Sequence, residues 1–190
     1  MQFNPEQIMQ LEKELRLLRE AASKRHEPAL EGISRLKARL ENEKDPDFRS
    51  HLYRMLISEF WYNRDDITAL EWARAMQREF NDVNSQHIVA HALMNCNFFD
   101  QALEELQDAF QKSIKEKIFV NLALEFLATA ALQLDDLEVL EKAADQFVKL
   151  PLDYCTDDLD IKTDWLERAR ELGLSSEIIA AIYKRADDSK

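Results

Sequence analysis

The sequence predicts an all-α protein built of antiparallel helical hairpins, about ten helices in all. Three observations predict it. First, the 190 residues hold only two glycines (Gly32, Gly173) and four prolines (Pro5, Pro28, Pro46, Pro151), where a sheet protein of this size needs many more for its tight turns. Second, Leu, Ala, Glu, Lys, Arg and Gln dominate, and these are strong helix formers. Third, apolar residues recur at spacings of three and four, the period of a half-buried helix. With 46% apolar residues the chain has enough material for a core, which argues against disorder.

Asn4-Pro5-Glu6-Gln7 is a helix start, with Asn as the cap, Pro at the first helical position and an acid in the first turn. Ile8, Leu11, Leu15, Leu18 and Ala22 follow on one seam, suited to packing against one other helix. The chain turns around Pro28, and Leu30, Ile33, Leu36 and Leu40 form a second stripe. Residues 5–43 therefore read as a helical hairpin. Asp45-Pro46-Asp47 breaks the pattern, so two domains are expected: residues 1–44, a hairpin that caps the rest or self-associates, and residues 45–190, a helical repeat domain with C-terminal capping helices. Paired helices are expected near 47–63 with 66–80, 84–96 with 99–112, and 116–133 with 136–149. Pro151 ends the last pair, an acidic loop PLDYCTDD follows, and helices near 158–172 and 175–186 close the chain. Gly173 sits where a C-terminal helix cap is wanted.

Three stretches share one plan: WYNRDDITALEWARAMQREF, MNCNFFDQALEELQDAFQ and LQLDDLEVLEKAADQF. Each is an apolar helix end, a polar turn, and a second helix that opens with an acid and carries small residues. Ala69, Ala102 and Leu140 hold equivalent places 33 and 38 residues apart, a period typical of stacked hairpins. Here residues 50–150 resemble the tetratricopeptide repeat family. Leu56, Phe60, Ala69, Ala73 and Met76 stand where that family packs its two helices. So do Ala90, Leu93, Phe99, Ala102, Leu106 and Ala109, and then Leu127, Ala128, Ala131, Leu140, Ala144 and Phe147. The chain departs from the family in lacking its turn glycine in all three units and in carrying its closing proline only as Pro151.

The resemblance implies a tetratricopeptide-like α-solenoid whose groove is lined by the first helix of each pair. Mapped residue by residue, that face comprises His51, Arg54, Ser58, Trp61 and Tyr62, then Asn84, His87, His91, Met94 and Asn95, then Glu125, Thr129 and Gln133. Trp, Tyr and Arg are common anchors of protein interfaces.

The net charge is -12. Residues 1–44 carry 8 acids and 9 bases, whereas 135–160 hold nine acids against Lys142 and Lys149. An acidic surface repels nucleic acid and anionic membranes and speeds encounter with a basic partner. Asp153, Asp157, Asp158 and Asp160 are the densest cluster and are expected to steer such a partner. They lack the central Gly and terminal Glu of a calcium loop.

Chemistry-bearing patterns are few. His87 and His91 stand at i and i+4 on one face, a spacing that can hold a metal. Ile88 stands where a zinc protease needs Glu, and only His51 offers a distant third ligand. Cys96 and Cys155 form no CxxC and read as free thiols in a reducing compartment. No Gly-rich phosphate loop, GxSxG or di-iron ExxH pair occurs. No apolar run reaches the roughly 18 residues of a membrane span, and the opening stretch is charged throughout, unlike a signal peptide.

These features imply a cytoplasmic protein-binding module without cofactor or catalytic residues, of the adaptor, chaperone or inhibitor (immunity protein) kind, with a basic protein partner and no nucleic acid or membrane partner. The alternatives are a structural or regulatory homodimer through residues 5–43, and a helical metal-dependent enzyme.

Overall fold

The structure, a computed structural model, describes residues 5–25, 28–151 and 163–188. Among them there is no strand, and ten helices follow one another in sequence: α1 (Pro5–Arg25), α2 (Leu30–Asn42), α3 (Pro46–Tyr62), α4 (Asp66–Phe80), α5 (Val83–Asn95), α6 (Phe99–Glu116), α7 (Val120–Gln133), α8 (Leu137–Lys149), α9 (Thr163–Leu172) and α10 (Ser176–Asp188). The chain divides into two compact units, residues 1–81 and 82–190. The first takes in α3 and α4 along with the N-terminal hairpin, so it runs past the break expected at 44/45. No helix among the described residues is long and apolar enough to cross a membrane.

In the first unit α2 packs on α1 and α3, and α3 packs on α4. The α1 seam is used inside the unit: Ile8, Leu11, Leu15 and Ala22 are buried, while Leu18 is half-buried. On α2 the stripe is Ile33, Leu36 and Leu40, preceded by buried Ala29. Leu30, expected in that stripe, is 58% exposed. It is the first residue of the helix, where the turn from Pro28 carries it off the buried face. Gly32 serves the packing directly, since a Cβ there would stand 3.0 Å from Leu15 Cδ2 and 3.4 Å from Glu59 Oε2. Glycine weakens a helix by about 1 kcal/mol relative to alanine, and here it admits side chains of both neighbouring helices.

Arg49 ties three helices together. Its guanidinium grips both Glu79 oxygens on α4 at 2.6 and 2.8 Å, and donates to the Leu40 and Glu43 carbonyls at the end of α2 at 2.6 and 3.0 Å. Tyr53 donates to the same carboxylate at 3.0 Å. These hydrogen bonds, Arg49's first, hold the Glu79 carboxyl below its usual range.

In the second unit α6 lies between α5 and α7, α8 packs on α7 and α10, and α9 packs on α7. The small residues aligned in the sequence are at its centre. Ala90, Ala102, Leu106, Ala109, Ala128, Ala131, Leu140, Ala144 and Phe147 are fully buried, and so are Leu56, Ala69, Ala73 and Met76 in the first unit. Phe99, expected among them, is half-buried.

Two features explain how the turns dispense with glycine. Asp45, Asp65, Asp82 and Asp136 cap α3, α4, α5 and α8 by accepting from backbone N–H groups, Asp82 in a reciprocal box with Ser85. At the other helix ends the left-handed backbone falls to Arg64, Asn81, Asn97, Lys117 and Asp135, an arrangement that Asn and Asp tolerate through local hydrogen bonding. The stretch 116–119 is a correction to the sequence reading. α6 continues to Glu116, and α7 begins at Val120 rather than 116, because Lys117 and Phe119 both turn left-handed at φ 61° and 52°. No glycine or proline marks that break.

The phase of α6 is open to test. Ala102 has no exposed surface and Gln101 is exposed. Ala102→Glu is expected to cost about 3 kcal/mol or more by burying an unpaired charge, and Gln101→Glu less than about 0.5 kcal/mol. Urea denaturation of both variants measures the contrast.

Candidate functional site

Helix α3 buries Phe48, Leu52, Leu56 and Phe60 at intervals of four, with Tyr53 and Ile57 beside them. That phase leaves His51, Arg54 and Ser58 along the edge facing α1, where they border an open groove of about 590 Å³ with Met55. Across it α1 contributes Ile8, Glu12, Leu15, Arg16 and Arg19. Three of the first unit's expected site residues are thus brought together.

Behind this groove stands a buried carboxylate. Glu59 is fully buried, and its Oε1 accepts from Arg19 Nε at 2.8 Å, with Arg19 Nη2 at 2.7 Å. Its Oε2 has no hydrogen-bond partner among the described residues. Arg19 in turn lies over the ring of Tyr62, 5.2 Å from its centroid, so Tyr62 holds an arginine while remaining 48% exposed. Trp61 is half-buried beside it. Arg54 Nη2 donates to His51 Nδ1 at 2.5 Å. Burial, then the Arg54 charge, lowers the His51 pKa, so the ring stays neutral at pH 7 and able to accept.

The second unit treats its histidines differently. His87 is only 4% exposed, so it does not occupy the water-facing position expected of it. Its Nε2 lies 3.4 Å from the hydroxyl of buried Ser113 on α6, and its ring sits 6.2 and 6.0 Å from Phe119 and Phe126. Its Nδ1 has no partner among the described residues. His91 is half-buried against Phe126 at 5.4 Å. The apolar wall is the reason for the shift in both: burial lowers the His87 pKa from 6.5 to about 4, and that of His91 in the same direction. Asn95 is exposed at the end of α5, Glu125 is half-buried, and exposed Thr129 donates to the Glu125 carbonyl at 2.8 Å. No group of three His, Cys, Asp or Glu able to hold a metal ion occurs among the described residues.

A second concavity, about 560 Å³, lies between α6 and the α7–α8 turn. Its walls are Asp100, Glu104 and Gln107 of α6 and Asp135 and Asp136 of the turn, with Leu103 and Leu134 between them. Asp136 is already engaged as the cap of α8 through Val139 N–H at 3.1 Å, and Arg168 approaches Asp135 at 3.5 Å. Asp153, Asp157, Asp158 and Asp160, expected to steer a partner, lie outside the described residues, as does Cys155. Asp100 and Glu104 escaped the sequence reading, as did Arg16 and Arg19. The signal available was the exposed stripe Asp100, Glu104, Gln107, Asp108, Gln111 at helical spacing, which becomes a wall only once the α7–α8 turn stands opposite.

Compared with protein-family models the chain matches none, and no curated protein and no solved structure matches it.

Two predictions follow from the buried groups. Arg19→Met leaves the Glu59 carboxylate buried and unpaired and is expected to cost about 3 kcal/mol. Arg19→Met combined with Glu59→Leu should recover most of that loss, which a double-mutant cycle of urea denaturations measures. For His87, the folded state binds its proton less readily than the unfolded chain. The contribution of neutral His87 is therefore complete above pH 6.5 and is lost as pH falls toward 4, to a limit of about 3 kcal/mol. His87→Gln should show a smaller drop in melting temperature between pH 7 and pH 4.5 than the wild type. An equal drop in both would mean the ring is not held neutral.

Proposed function

We propose that this protein is an interaction module that binds a basic segment of another protein. One observation carries the reading: the concavity between α6 and the α7–α8 turn is lined by four carboxylates and no basic side chain. Two further facts support it. Residues 82–190 carry 22 acids and 11 bases, against 15 and 14 in residues 1–81, so the field that attracts a cation is concentrated on the unit that holds the concavity. Along α6 the exposed stripe from Asp100 to Gln111 covers about 16 Å at the helical rise, the length of about five residues of extended peptide. Leu103 and Leu134 offer the apolar stems of Lys or Arg a surface to lie on.

Within this reading the unit is a tetratricopeptide-like stack of hairpins, supported by the burial of the small residues aligned between repeats. His91, Asn95, Glu125 and Thr129 extend the partner surface, and the acids at 153–160 add to its field. Adaptor, chaperone and inhibitor are the roles that suit such a surface, in the cytoplasm.

The test is anisotropy of a fluorescent Lys/Arg-rich peptide with the full chain. Asp100→Asn, Glu104→Gln and Asp135→Asn together leave the Asp136 cap intact. They are expected to weaken binding at least about tenfold at low salt, mainly through slower association. The difference should shrink toward 1 M salt, where the Debye length is about 3 Å. Association that is insensitive to both the substitutions and salt would refute the reading.

A further inference from the structure

The acidic concavity does not end at Asp136. Gln107, which lines it, also lines another hollow of about 370 Å³ further along α6. There α6 supplies Phe110 and Gln111, α8 supplies Val139, Ala143 and Gln146, and Leu127 of α7 lies between them. The two hollows adjoin in one groove. Its first wall is α6, and its second is the α7–α8 turn followed by α8. At the far end Gln111 and Gln146 bridge the walls with two hydrogen bonds, at 3.0 and 3.2 Å.

The two halves of the groove differ in chemistry. The first presents Asp100, Glu104 and Asp135. The second has an apolar floor, where Phe110 and Leu127 are almost wholly buried, Ala143 is buried and Val139 half-buried. An apolar side chain seated on that floor would exclude water from it, which is favourable.

Charge decides which residue goes where. Asp100 and Glu104 make no ion pair among the described residues. Beside them Arg168 of α9 donates to the Leu132 carbonyl at 3.1 Å and approaches Asp135 at 3.5 Å, so the turn already receives one guanidinium. In the second half Asp108 and Lys142 balance in charge. No net field selects a cation there, and the floor favours an uncharged side chain. The helical rise separates Glu104 from Phe110 by about 9 Å, the reach of about three residues of extended chain.

We propose that this groove recognises a composite segment of a protein partner, in which a basic residue and a large apolar residue stand about three positions apart. Asp100, Glu104 and Asp135 take the cation, and the hollow floored by Phe110 and Leu127 takes the apolar side chain. The inference rests on the basic-segment reading and narrows it. Charge alone admits any cationic peptide, whereas the hollow selects among them.

The experiment uses the full chain and a fluorescein-labelled peptide, Gly-Leu-Ser-Gly-Lys-Lys-Gly-Ser-Leu-Gly, read by anisotropy. Its symmetry offers a leucine at the right spacing in either chain direction. A twin carries Ser in place of both Leu. The leucine peptide is expected to bind at least about tenfold more tightly, the order set by burying one such side chain. That ratio should hold while rising salt weakens both peptides, because salt screens only the attraction they share. Ala143→Leu, which fills the hollow, should bring the ratio to about twofold or less. Val139→Asp should do the same by placing a carboxylate over the apolar floor. An acid in the first turn of α8 suits the helix, so this variant decides the matter should Ala143→Leu fail to fold. Equal affinity of the two peptides, or a ratio that survives in a folded variant, would overturn the proposal. The failures are separable. If both peptides bind alike and both lose binding with Asp100→Asn, Glu104→Gln and Asp135→Asn, the basic-segment reading stands and the hollow alone falls. Absence of binding by either peptide sinks both.

Discussion

Two helices of a hairpin approach only as closely as the side chains at their crossing allow, and in this protein alanine recurs among the fully buried positions. Ala69 and Ala73 in α4, Ala102 and Ala109 in α6, and Ala144 in α8 expose no surface. Small residues let backbones come close, and the larger side chains Met76, Phe110 and Phe147 are left with almost no exposed surface. Helices of 13 to 18 residues, the range spanned by α3 to α8, are marginal on their own in water. Their persistence rests on this packing, and so does the placing of every surface residue discussed above, because the buried stripe sets the phase of each helix.

The acidity of the chain is divided between structure and surface. Asp45, Asp65, Asp82 and Asp136 satisfy free N–H groups at helix starts, where the helix dipole also favours a negative charge. Glu79 is consumed by Arg49, and Glu59 by Arg19. What remains is unevenly spread, near balance in residues 1–81 and strongly negative in residues 82–190. The same residue type thus sets helix boundaries in one place and a binding field in another, and only burial and hydrogen bonding tell the two apart.

Glu59 shows how costly a structural charge can be. A fully buried carboxylate needs a partner of opposite charge and further hydrogen bonds to offset its desolvation, and it has Arg19 on one oxygen alone. The pair nevertheless joins α1 to α3 and holds Arg19 at the edge of the groove. His87 is a different case, an imidazole tolerated in an apolar wall because it can discard its charge at neutral pH.

By itself the sequence determined the all-α class, nearly every helix and the identity of the core, because each rests on local physics: helix propensity, a period of three to four, and Asp or Pro at the starts. The aligned positions Ala69, Ala102 and Leu140 were legible for the same reason, and all three are fully buried. Where a break depended on tertiary packing the pattern was silent. Lys117 and Phe119 turn left-handed without a glycine to announce it, and Leu30 leaves its stripe. The sites divide in the same way. That Asp135 and Asp136 belong to an acidic surface was readable from charge alone. That they face Asp100 and Glu104, some 35 residues away in the chain, was not. Nor was the meeting of Arg16 with Arg54, or the burial of His87 between Ser113 and two phenylalanines. A helical period says which residues share a face, and only the packing of one helix on another says what that face looks at.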